Sequence, residues 1–132
     1  MNRDEVEAWI EAYERAWRSP GTETLAKLFT EDASYRLSPY DEPALGLEAI
    51  SALWERERKG PDEVFTLASE VFAVAGDRAV VTLEVRYGDP VEREFRDIWL
   101  LQFESGRCAR FEEWAFWPDK PYTAGPSGLG QP

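Results

Sequence analysis

Between Asp4 and Arg18 the apolar residues are Val6, Trp9, Ile10, Tyr13, Ala16 and Trp17. That spacing lays one stripe along an α-helix, and Ser19-Pro20-Gly21 ends it. Thr22 then stands as the cap of a second, short helix with Leu25, Leu28 and Phe29 inward. Glu31-Asp32 reads as a turn, after which Ala33, Tyr35 and Leu37 share one face of a strand. SPYDEPALG is a loop of turn formers. Leu47, Ile50, Leu53 and Trp54 mark the buried side of a third helix, from Leu47 to Arg58, closed by Lys59-Gly60-Pro61.

Beyond that point the period changes to two. Strands are predicted over 64–74, 79–87, 94–104 and 107–117, with turns at Gly76-Asp77, Gly88-Asp89-Pro90 and Ser105-Gly106. Val81, Leu83, Val85 and Tyr87 face inward, and Glu84 and Arg86 face out. Helices first and long antiparallel strands afterwards define an α+β domain, residues 1–118. The Pro- and Gly-rich segment 119–132 is expected to be a flexible tail.

The last two strands carry the candidate chemistry. A plain two-residue loop at Ser105-Gly106 would set Asp97 opposite Trp114. A three-residue turn, Glu104-Ser105-Gly106, closed by a glycine bulge would set Asp97 opposite Glu113 instead. The second register gathers Phe95, Trp99, Leu101, Phe103, Ala109, Phe111 and Ala115 on one face, so it is preferred. Asp97 and Glu113 then form a cross-strand pair, Cβ atoms about 5 Å apart, on an aromatic face. Two carboxyls that close in a dry site do not both ionise, which makes them a candidate acid–base pair. Arg86, Arg93 and Arg96 are the alternative, as cations that would neutralise them at the surface.

Composition narrows the chemistry. The sequence has no histidine, which removes imidazole bases and triads. No phosphate-binding glycine loop and no cysteine cluster is present, so neither a metal nor an organic cofactor is expected. The net charge is −11, from 26 acids and 15 bases, which argues against nucleic acid and anionic membrane surfaces. A lone cysteine, Cys108, excludes an internal disulfide. With no leader-like segment and no long apolar run, a cytoplasmic location is expected. Six Trp, five Tyr and seven Phe in 132 residues are enough to line a cavity as well as fill a core. The outward positions Ile98, Leu100, Trp114 and Phe116 form an apolar patch, with Cys108 placed on the same side.

The phrases YERAW in the first helix, LAKLFTEDASY, GLEAISALW and FESGRCARFEEW, in this order, resemble the SnoaL-like group of the nuclear transport factor 2-like superfamily. The resemblance covers residues 4–117. It implies a cone-shaped, curved antiparallel sheet packed on three N-terminal helices, a cystatin-like roll with a pocket at its mouth. It also implies dimerisation through the outer sheet face at Ile98, Leu100, Trp114 and Phe116. Against ketosteroid isomerase, Tyr13 falls on the oxyanion-hole tyrosine, Leu37 replaces the basic aspartate, and the second oxyanion acid falls near Trp99. Glu113 falls where many members keep an acid.

The candidate catalytic residues are therefore Asp97, Glu113 and Tyr13. Candidate substrate contacts are Trp17, Tyr35, Leu37, Trp54, Val85, Trp99 and Phe111. Two readings remain open. One is an enzyme moving protons on an apolar carbonyl or polyketide-like compound. The other is a non-catalytic module for a ligand or a protein partner.

Overall fold

The computed structural model describes residues 1–60 and 62–120. Three helices, α1 (Arg3–Arg18), α2 (Leu25–Leu28) and α3 (Leu47–Glu57), accompany six strands. These are β1 (Phe29–Arg36), β2 (Ala44–Leu45), β3 (Phe65–Ala75), β4 (Arg78–Tyr87), β5 (Arg93–Glu104) and β6 (Arg107–Phe116). They form one sheet in the order β2-β1-β6-β5-β4-β3. The predicted helices and long strands are present, with ends shifted by one or two residues.

Four local expectations are corrected. Glu31 and Asp32 are no turn but belong to β1, at an irregularity in its pairing with β6. β1 runs parallel to β6, so the sheet is mixed rather than wholly antiparallel. Thr24, not Thr22, precedes α2, and Thr22 Oγ1 instead bonds Ser51 Oγ at 2.6 Å. The loop after β1 contains the short strand β2. A parallel neighbour comes from distant chain segments, so periodicity within either strand says nothing about it. Asp119 and Lys120, expected in the tail, continue from β6 into a turn that bridges back to Trp117. The rest of the tail, 121–132, lies outside the described residues.

The helix α1 starts on a capping box, in which the Asn2 side chain and Glu5 exchange bonds with each other's backbone N–H. Its apolar stripe packs Val6, Trp9, Ile10, Tyr13 and Ala16 against the concave side of the sheet. The outer edge of β3 would otherwise present free carbonyls, and α1 covers part of it. Arg3 and Arg18 donate to the Val71 and Phe65 carbonyls. At the other end of α1, the buried Arg58 guanidinium donates to the Ala16, Ser19 and Gly21 carbonyls at 3.2, 2.8 and 2.8 Å. It satisfies the carbonyls that a helix C-terminus leaves open and locks α3 to α1.

The hairpin β5–β6 resolves the register question in a third way. Ser105 and Gly106 take φ of 51° and 84°, a two-residue turn with both residues left-handed, and Glu104 pairs with Arg107. Phe103 pairs with Cys108, but Gln102 pairs with Arg110, so Ala109 is an extra, bulged residue. Beyond the bulge Leu101 faces Phe111, Trp99 faces Glu113 and Asp97 faces Ala115. The expected pairing of Asp97 with Glu113 is therefore off by two positions, and the two acids are diagonal neighbours. The parity is unchanged, so both acids still point to the concave side with Trp99, Leu101 and Phe111. Ala109 leaves that set and Cys108 joins it, fully buried rather than on the outer face.

Replacing Arg58 by methionine keeps the stem but leaves the Ser19 and Gly21 carbonyls without this donor, while Ala16 retains the Ser19 N–H. The expected loss is about 2–4 kcal/mol in denaturant unfolding. The loss exceeds that of Arg86→Met, whose ion pairs with Glu84 and Glu94 lie on the exposed face.

Candidate active site

The cone narrows onto a cavity of about 240 Å³. α1 contributes Tyr13, Glu14 and Trp17, the end of β1 gives Tyr35 and Leu37, and α3 gives Leu53 and Glu57. Lys59 and Glu63 line it from the following loop, and Phe65 and Leu67 from β3. Val85 and Tyr87 come from β4, Arg93, Phe95, Asp97 and Trp99 from β5, and Glu113 and Ala115 from β6. A volume this size suits a one- or two-ring ligand, at the small end of ligand pockets.

Asp97 is 8% exposed, and its Oδ1 is buried with no hydrogen-bond partner among the described residues. Burial, and then the charge of Glu113, push its pKa from 3.8 up to about 8. Burial also raises Glu113, and Glu57 adds to that rise. The Trp99 indole N–H, 2.6 Å from Glu113 Oε2, acts in the opposite sense. Of the two, Glu113 has the donor that favours a carboxylate, and Asp97 has none. The shared proton therefore belongs on Asp97. The arginines weighed against this pair are engaged elsewhere. Arg86 and Arg96 pair with Glu84 and Glu94 on the outer face, and Arg93 lies 4.7 Å over the Tyr87 ring.

Tyr13 and Tyr35 share a 2.7 Å hydrogen bond between their hydroxyls. One hydroxyl donates to the other, so the pair retains a single O–H for the cavity. Both phenols are held well above their ordinary value, Tyr13 by burial, then by Tyr35 and Glu113, and Tyr35 by burial, then by Glu113. They stay protonated and remain donors. Stacking fixes the rings: Phe111 lies flat against Tyr35 and Tyr13, with centroids 4.2 and 5.6 Å away.

Of the predicted substrate contacts, Trp17, Tyr35, Leu37, Val85 and Trp99 line the cavity. Trp54 and Phe111 do not: both are fully buried in the core behind it. Cys108 is fully buried away from the cavity, and burial pushes its thiol up to about 12. Sequence reasoning put Tyr87 on the inward face without counting it in the site. It missed Glu57, Lys59 and Glu63, and it named Arg93 only as a cation that would neutralise the acids at the surface. Tyr87 was legible from the alternation it shares with Val85. Lys59 and Glu63 sit in a loop, where no period exists to read.

The SnoaL-like domain profile matches residues 6–111, and the chain belongs to this family, with the curved α+β fold of nuclear transport factor 2-like proteins. Solved structures agree on the fold. A candidate isomerase from Rhodopseudomonas palustris is 15% identical, with a TM-score of 0.70 over 91% of this chain and 95% of its own. A de novo designed protein with a curved β-sheet is 18% identical, with a TM-score of 0.67 over 90% of each chain. An epoxide hydrolase from M. tuberculosis is 13% identical, with a TM-score of 0.61 over 86% of this chain and 84% of its own. Among curated proteins none matches the sequence. No helix among the described residues is long and apolar enough to cross a membrane.

The raised Asp97 makes stability fall with pH. Between its ordinary value of 3.8 and about 8, the folded chain holds a proton that the unfolded chain has lost. Its contribution is thus undiminished below that interval and lost through it. Asp97→Asn mimics the protonated acid and removes the loss. In denaturant unfolding the variant is expected to match the parent within about 1 kcal/mol near pH 4 and to exceed it by clearly more than that near pH 9.

Proposed function

We propose that this protein takes a small, apolar, ring-containing compound into the cavity and transfers a proton on it, without metal or organic cofactor. The observation that carries this reading is the buried, unpartnered Oδ1 of Asp97 beside Glu113 in an aromatic cavity. A group at such cost to stability is what proton-transfer sites contain. Glu113, hydrogen-bonded to Trp99, takes the proton as base, and Asp97, held protonated, returns one as acid. The Tyr13–Tyr35 pair donates its one free O–H to a developing oxyanion. Trp17, Leu37, Val85 and Trp99 supply apolar contact. Isomerisation, dehydration, cyclisation and epoxide opening all use such a pair, and the similar isomerase and epoxide hydrolase are in keeping with that range.

Cyclohexanone is a suitable probe, with loss of α-hydrogen to deuterated water followed by NMR. Asp97→Asn and Glu113→Gln are each expected to lower the enzymatic exchange rate about a hundredfold while leaving the circular dichroism spectrum unchanged. Exchange that persists in both variants removes the acid–base role.

A second reading concerns the outer sheet face, where Ile98 and Trp114 are directly paired, flanked by Leu100 and Phe116, all half-exposed. We infer a homodimer through this face, and a non-catalytic role would also use it. Trp114→Glu is expected to convert a dimer to a monomer in sedimentation. A parent chain that already sediments as a monomer contradicts it.

A further inference from the structure

The polar groups of the cavity are mostly acceptors. Besides Asp97 Oδ1, Glu63 Oε1 is buried in the cavity wall without a hydrogen-bond partner among the described residues. Glu113 completes a set of three carboxylates. All three line the cavity together with Tyr87, whose pKa is pushed up to about 12 by burial, then by Glu63, Glu113 and Asp97, with Arg93 opposing. Against these acceptors the deep wall offers few donors. The Trp99 N–H is spent on Glu113, which leaves one O–H of the tyrosine pair and that of Tyr87.

Charge points the same way. Glu14 is neutralised by Arg18 at 2.9 Å. With Asp97 protonated, that leaves Glu57, Glu63 and Glu113 against Lys59 and Arg93, an excess of negative charge in a site walled by Trp17, Tyr87 and Trp99. Carboxylates within an aromatic wall are the environment that stabilises an organic cation, by ion pairing and by the ring faces.

We propose that the ligand of this cavity carries a protonated amine on its ring system, with the ammonium donating to Asp97, Glu113 and Glu63. The inference rests on the cavity being the ligand site and not on the acid–base step: an ammonium pairs with an ionised Asp97, where the proton transfer above uses it protonated. Three N–H donors meet the two orphaned oxygens and the second face of Glu113, which a ketone or an ether does not. Binding draws protons off the acids, because a cation beside them favours their charged forms.

Benzylammonium, benzyl alcohol and benzoate share a ring and differ in charge, and Trp17 and Trp99 report their entry through fluorescence. The groups facing Asp97 set the pH response. They are Tyr13 and Glu14 from α1, Tyr35 from β1, Glu57 from α3, and Lys59 and Glu63 from the loop. Tyr87 from β4, Arg93 from β5 and Glu113 from β6 complete them.

Near pH 8.5 benzylammonium is expected to bind at least about tenfold tighter than benzyl alcohol. Near pH 6 the preference shrinks, since the acids are then protonated, and calorimetry in buffers of different ionisation enthalpy records proton release on binding. Glu63→Gln and Asp97→Asn, each checked for an unchanged fold, lower the preference severalfold. Alcohol bound as tightly as ammonium, or benzoate bound tightest, overturns the amine while the cavity stands. If none of the three binds at millimolar concentration, the cavity reading falls with it.

Discussion

One extra residue in the β5–β6 ladder orders the rest of this molecule. The turn at Ser105-Gly106 starts the two strands in a register that would send Phe111 and Glu113 to the solvent side. The bulge at Ala109 shifts the count by one, so that Cys108 and Phe111, three apart in sequence, are both buried. Every inward side chain of β6 beyond that point depends on this shift. Without it the tyrosine pair would lose its stacking partner, Arg110 would stand inward in place of Phe111, and Glu112 rather than Glu113 would face Trp99.

The same geometry explains why two acids are tolerated in a greasy hollow. Direct pairing would have forced their carboxyls together. The diagonal placement separates them by one rung, gives Glu113 an indole donor, and leaves Asp97 without one. Two chemically similar groups thereby acquire different protonation, because hydrogen bonding favours the charged form of one and desolvation disfavours that of the other. The cost is carried by an aromatic core whose rings contact one another from Trp9 through Tyr13 to Trp99 and Phe111.

A designed protein shares the curved sheet, so the architecture alone implies no activity. Two buried carboxyl oxygens, Asp97 Oδ1 and Glu63 Oε1, are left without a hydrogen-bond partner among the described residues. Fold stability would be better served by apolar residues at Asp97 and Glu63. Their presence in the wall of a cavity, with Arg86 and Arg96 paired on the outer face, is what gives the cavity a chemical direction.

The amino-acid order by itself determined the helices, the long strands, the inward parity of Asp97, Glu113, Trp99 and Tyr87, and the family. These follow from periodicity and turn chemistry, which act over a few residues and are written locally. Only the tertiary structure decided the parallel contact of β1 with β6, the bulge at Ala109, the burial of Cys108, and which aromatics line the cavity rather than back it. It also brought Glu63, Lys59 and Arg93 to the same wall. Those outcomes depend on which distant segments pack against each other, and side-chain alternation within one strand is blind to its neighbour. A register shift of two positions leaves every face unchanged, so the pattern that placed both acids inside was unable to say which residue each would meet.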